Sequence, residues 1–165
     1  MKKIVYIVLI IVIFSLYLGT TKDIVIPKES IRFRIIANSN DPNDQLLKLD
    51  IKKDLEDNLF TKLENSHSIE ESRKIIKDNE DLIEETLKKY DIPYSINYGN
   101  NYFPEKTYKG VNYEEGEYES LVISLGEAKG NNWWCVIYPP LCLIDQEKEE
   151  NEYKFYIKEI LDKFA

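Results

Sequence analysis

One histidine, two cysteines and one methionine are all that 165 residues hold of those types. That scarcity bounds the chemistry. A Ser–His or Cys–His relay would have to take His67 as its base. His67 lies in Asn65-Ser66-His67-Ser68, between two helical patterns, the place of an ordinary surface residue. No Gly-x-Ser-x-Gly elbow is present. Two cysteines and one distant histidine do not close a zinc site, and Cys135 and Cys142 are not spaced Cys-x-x-Cys. No metal or cofactor is expected. Basic excess is lacking too. The net charge is −8, and losing Lys2 and Lys3 with a leader takes it to −10. An acidic surface repels nucleic-acid phosphates and anionic headgroups, which sets aside nucleic acid and polybasic membrane docking.

Only one long apolar run occurs. Ile4 to Leu18, broken by Ser15, follows Lys2 and Lys3 and precedes Gly19, Thr20 and Thr21. A basic n-region, a short apolar h-region and small residues form an export signal. The run falls short of a relaxed transmembrane span of about 20 residues. Residues 1–21 are therefore a signal peptide or an N-terminal membrane anchor, and cleavage is left open. Residues 22–30, ending beyond Pro27, read as a linker, and 31–165 as one domain.

Ile31, Phe33 and Ile35 alternate with Arg32 and Arg34, the pattern of a half-exposed strand. Asp41-Pro42 with Asp44 caps a helix carrying Leu47, Ile51, Leu55, Leu59 and Leu63. Ser68 with Glu71 caps a second helix, through Tyr90. From Pro93 the texture turns aromatic and β-branched, punctuated by Gly99, Gly110, Gly116, Gly126 and Gly130, which reads as an antiparallel meander with Pro104 at an edge or bulge. Glu152 to Phe164 is an amphipathic helix. The expected class is α+β: an N-terminal strand and helical hairpin on a mostly antiparallel sheet, with a C-terminal amphipathic helix.

Asn38, Asn40, Asp41, Asn43 and Asp44 resemble a calcium loop, but no register supplies the Gly and Glu that an EF-hand requires, and helix capping accounts for them. Glu127, between Gly126 and Gly130, is one carboxylate without an evident second, whereas glycoside hydrolysis normally uses two. Trp133 and Trp134 point to opposite faces of a strand, so one needs a second layer or a partner. In an exported chain Cys135 and Cys142 either form a disulfide across Pro139-Pro140 or stay as buried thiols.

Ile31 to Lys48 (IRFRIIANSNDPNDQLLK) and Gly116 to Cys142 (GEYESLVISLGEAKGNNWWCVIYPPLC) resemble the stage II sporulation protein R family, NWWCV followed by PPLC being the most specific string. Ala128 stands where that family favours glycine, which would alter the loop if the position needs positive φ. The resemblance implies an exported, non-catalytic signalling protein. It would leave the forespore for the intermembrane space, or stay anchored at the forespore membrane. There it would activate the mother cell's membrane-embedded aspartic protease, which converts pro-σE to σE. No small-molecule substrate is implied, and membrane contact is only through the N-terminal segment. The expected partner-binding residues are Asn38, Asp41, Asp44, Glu127, Asn131, Asn132, Trp133, Trp134, Pro139 and Pro140. A cell-envelope hydrolase using Glu127 and a passive envelope or coat component are the competing readings.

Overall fold

The computed structural model describes residues 24–144 and 148–164, with Tyr6, Ile10 and Val12. The leader read at 1–21 lies outside the described residues but for those three positions. Among the described residues no helix is long and apolar enough to cross a membrane.

The fold is α+β in three layers. The middle layer is a four-stranded sheet of β2 (Ile31–Ile36), β3 (Tyr94–Phe103), β6 (Gly116–Leu125) and β7 (Asn132–Tyr138), in the order β3-β6-β2-β7. β3–β6 and β2–β7 are antiparallel, and β2–β6 is parallel. The C-terminal strands therefore do not form the expected meander. β2 is inserted between β6 and β7, because its residues can be buried on both faces: only Arg34 and Ile36 retain partial exposure. Between β3 and β6 the chain makes a detour. β4 (Lys106–Tyr108) and β5 (Val111–Tyr113) form a hairpin that joins β1 (Ile24–Val25) in a second, three-stranded sheet. Pro104 ends β3 and starts that detour.

Of the stretch expected as a linker, the described residues begin at Ile24, in the small sheet. β1 pairs parallel with β5, and Ile26 is buried in the core between the small sheet and the C-terminal helix. Ile24-Val25-Ile26 is a β-branched triplet, and such residues suit a pleated, half-buried surface.

The helical layer starts as read. Asp41 caps α1 (Pro42–Leu55), its carboxylate accepting from Asn43 N at 2.9 Å. A π turn, Glu56–Phe60, and a short α2 (Thr61–Leu63) continue it. The π turn has a sequence cause. Ile51, Leu55, Leu59 and Leu63 recur every fourth residue. On a helix of 3.6 residues per turn, that spacing drifts about 40° per step. One wider turn cancels the drift, and all four side chains stay at 0–1% exposure. Ser68 caps α3 (Ile69–Asp78) by accepting from Glu71 N at 3.1 Å, and the Glu71 carboxylate accepts from His67 N. The second helix is broken at Asn79, whose side chain donates to Ile75 O, and it resumes as α4 (Glu80–Lys88). Helices α1 to α4 cover the sheet face bearing Phe33, Ile35, Leu121 and Ile123. The small sheet and α5 (Glu150–Lys163) cover the other face through Val111, Tyr113, Val136, Tyr153 and Ile157.

The arginines of β2 correct the half-exposed reading. Arg32 has 0% exposure. Its guanidinium carbon lies 3.3 Å from the Tyr118 ring centre and 5.2 and 5.5 Å from Phe103 and Trp134. Arg34 sits 4.5 Å over Phe103. Alternation in a strand marks two faces, but it does not say that the second face meets water. Here aromatic rings from the neighbouring strands of the same sheet fold over it.

Candidate functional site

The two most distinctive sequence blocks meet at one end of the central sheet. β6 and β7 flank β2, so the loop joining them (126–131) must cross the chain leaving β2 (37–41). The crossing is tied by backbone: Lys129 N donates to Asn38 O at 3.0 Å and Gly130 N to Ala37 O at 2.9 Å. Side chains complete it. Asn38 Oδ1 accepts from Glu127 N at 2.9 Å, while its Nδ2 donates to Asp44 Oδ2 at 2.8 Å. Asn40 Oδ1 accepts from Asn131 N at 2.7 Å. Ser39 Oγ donates to the same Asp44 oxygen at 2.6 Å, and Gln45 Nε2 donates to Ser39 O. Lys48, buried on α1, donates to Asn131 O at 3.1 Å and to Gln45 Oε1. Hydrogen bonds from Ser39 and Asn38 hold the Asp44 carboxyl below its ordinary range.

Glycine is required twice in this crossing. Gly126 has φ +55°, and a Cβ there would collide with the Asn38 side chain; a Cβ on Gly130 would collide with the Ser39 carbonyl. Ala128 has φ +53°, the left-handed region its position was suspected to need.

The expected surface residues thus divide by environment. Asn38 and Asp44 are spent on internal hydrogen bonds. Asp41, Glu127, Asn131 and Asn132 are exposed, with Glu127 paired to Lys129 at 2.8 Å. Trp133 is half-buried toward the helices, 6.0 Å edge-on to Phe33, with Lys52 Nζ 4.7 Å over its ring. Trp134 is half-buried on the opposite face, 5.2 Å from Tyr113 and 5.4 Å from Phe103. Beside Trp134 is a cavity of about 70 Å³, also lined by Lys106, Tyr108 and Tyr153, which is room for one or two waters. The Tyr113 hydroxyl, 3.2 Å from that of Tyr153, has its pKa pushed well above the ordinary tyrosine range by burial.

Pro139, buried after a cis peptide, and the half-buried Pro140 form the turn beyond β7. Cys135 and Cys142 are joined across it, their Cα atoms 5.3 Å apart. His67 is exposed in its turn, beside a cleft of about 440 Å³ against Pro140 and Phe164. Among the described residues no cluster of three His, Cys, Asp or Glu could hold a metal.

Sequence reasoning missed Ser39, Gln45 and Lys48 and read Asn40 as part of a helix cap, whereas all four tie the crossing. A buried lysine on the inward side of an amphipathic helix resembles any solvated lysine until its acceptor, a backbone carbonyl 83 residues away, is in place. It also missed Leu46 and Leu49, 60% and 46% exposed, three residues apart on the outward side of α1.

The comparisons with known proteins agree in direction. The family described as stage II sporulation protein R (spore_II_R) matches residues 27–148. The curated stage II sporulation protein R of Bacillus subtilis (strain 168) is 37% identical over 142 residues. The alignment covers 78% of this chain and 63% of that relative, so the chain spans less than two thirds of the relative's length. No solved structure matches. The match includes both sequence blocks and the crossing they build, and the chain belongs to the stage II sporulation protein R family, a family of sporulation proteins.

Proposed function

We propose that this chain is an exported signalling protein of sporulation that activates a membrane-embedded aspartic protease of the mother cell, which then converts pro-σE to σE. The observation that carries the reading is family membership over residues 27–148. The geometry of the crossing supports a contact role. Asp41, Glu127, Asn131 and, at the first position of β7, Asn132 are presented to solvent, and the backbone of the crossing is held by at least four cross-loop hydrogen bonds. A preorganised polar loop loses little entropy on docking. Leu46 and Leu49 add two exposed apolar side chains on the neighbouring helix. Trp133 and Trp134 shape this end from beneath, whereas Pro139 and Pro140 lie beyond the far end of β7. The chain acts by binding and contributes no catalytic group. Its leader places it in the space between forespore and mother cell.

Reconstitution tests the proposal. The full chain is co-expressed with the protease and pro-σE in a non-sporulating host, and pro-σE size is followed by immunoblot. The expected result is cleavage that requires both this chain and the protease's catalytic aspartate. No cleavage, with export confirmed and the protease shown active by another route, would reject the activator role.

A further inference from the structure

The chain has three arginines, and they are partnered unequally. Arg73 is paired with Glu119 at 2.8 Å. Arg32 and Arg34, on the central strand β2, have no carboxylate partner among the described residues. Arg32 gives one hydrogen bond, to the Glu114 carbonyl, and its Nε and Nη1 are buried without an acceptor. Arg34 makes no hydrogen bond and no ion pair: its guanidinium rests on the Phe103 ring, with Nε buried and unpartnered. Lys106, 5.1 Å over Trp134, likewise has ring contacts alone. The Phe103 and Trp134 rings that gather these three cations are 5.4 Å apart. Burial lowers the pKa of Arg34 and of Lys106, and no carboxylate among the described residues acts against it.

Strand register places Arg34 at an open corner of the sheet. It shares a row with Trp134, Val122 and Asn97, and the next row toward the crossing holds Asn132, Ser124 and Ser95. Residues directly opposite one another across strands share a face. Arg34 carries the only charge in these two rows. The small sheet and α5 pack on Val136, in the row of Arg32, reach Trp134 and go no further. Ser95, Asn97 and Asn132 are exposed, and Arg34 is half-buried.

We propose that this corner binds a carboxylate of a partner protein, an aspartate or glutamate side chain docked on Arg34. A guanidinium drawn partly out of water without an acceptor costs free energy, and a bound carboxylate supplies the missing acceptor. The planar fork of the guanidinium fits a carboxylate through two parallel hydrogen bonds. Exposed amide and hydroxyl groups of Asn97, Ser95 and Asn132 surround it with further donors, and Arg32 and Lys106 add positive charge that no carboxylate of the chain neutralises. A net charge of −8 repels a doubly charged phosphate more than a single carboxylate. The corner adjoins the exposed rim of the crossing at Asn132. It is an attachment point beside that rim, and its assignment does not depend on the protease reading.

The test follows the backbone amide and arginine Nε–H signals of the isotope-labelled full chain by NMR, in a zwitterionic detergent. The probe is N-acetylglutamate α-amide, with N-acetylglutamine α-amide as its uncharged counterpart and inorganic phosphate as a second anion. The Arg34 Nε–H signal is expected to shift saturably with the glutamate compound, together with the amides of Asn97, Ser124 and Asn132, and to stay in place with the glutamine one. Arg34→Gln is expected to weaken binding, read from those amides, at least about tenfold. No saturable shift, an equal response to the glutamine compound, or tighter binding of phosphate would overturn the proposal. Shifts of the parent chain centred away from this corner would overturn it even where Arg34→Gln does not fold.

Discussion

The two faces of the central sheet are covered in different ways. Toward the helices, Phe33 packs edge-on to Phe60 at 5.0 Å amid Ile and Leu side chains, an apolar core of ordinary kind. Toward the small sheet, the neighbouring residue Arg32 is just as buried but sits among Tyr118, Phe103 and Trp134. Its Nη2 donates to Glu114 O at 3.3 Å, while Nε and Nη1 have no hydrogen-bond partner. Burial lowers its pKa, though nearby tyrosines act the other way. The comparison teaches that burial and stabilisation separate. A phenyl ring gains by leaving water, whereas a guanidinium without a carboxylate partner loses hydration that ring faces only partly replace.

Substitution at these two adjacent residues gives the widest expected contrast. Phe33→Ala should destabilise the domain by about 3–5 kcal/mol in urea unfolding, the usual range for emptying an aromatic core site. Arg32→Met, of similar volume, should fall within about 1.5 kcal/mol of the parent or exceed it. Equal losses at both sites would erase the distinction between the faces. The tryptophans come next. Each is half-buried by its own face, so Trp133→Ala and Trp134→Ala should each cost about 2–3 kcal/mol, below the fully buried range. A variant of either that keeps its stability and loses pro-σE processing would move that ring from scaffold to contact surface.

Much of the helical face was legible in the sequence. The caps Asp41 and Ser68 and the four-residue spacing of apolar side chains are local signals, and local hydrogen bonds realise them. The second face was not. Arg32 and Arg34 carry the alternation of an exposed face, and the rings that cover them come from β3, β6 and β7, far along the chain. Strand pairing was likewise hidden, because nothing in 116–138 says that β2, eighty residues earlier, will enter between β6 and β7. The candidate site was half legible. Its residues were singled out, but the division between internal ties and exposed contacts follows from the crossing.

Smaller effects sharpen the comparison at its margins. Beside the helices, Arg73 grips the Glu119 carboxylate through Nε and Nη2 at 2.8–3.1 Å, and Tyr98 donates to it at 2.6 Å. Burial pushes the Glu119 pKa up, but these donors outweigh it and hold the carboxyl below its ordinary value. The stabilisation is therefore fully present above the unfolded-state pKa and is lost as pH falls through the lower folded value. Because Arg73 is partly exposed, screening limits the effect to about 1 kcal/mol, which Glu119→Gln should remove from the acid limb of a stability–pH profile. An unchanged acid limb would show that the ion pair contributes nothing. Ala128→Gly relieves a left-handed φ and should raise stability by about 1 kcal/mol. A loss there would mean that the Ala methyl group is packed.

The central claim is that both faces serve as scaffold and the exposed rim of the crossing makes the activating contact. The most direct measurement compares Glu127→Ala/Asn131→Ala/Asn132→Ala with the parent chain, reading pro-σE processing in the reconstituted system and thermal unfolding side by side. The account predicts processing reduced at least about tenfold with the unfolding midpoint unchanged, as expected for residues that act only at an interface. Undiminished processing by the folded triple variant would contradict it.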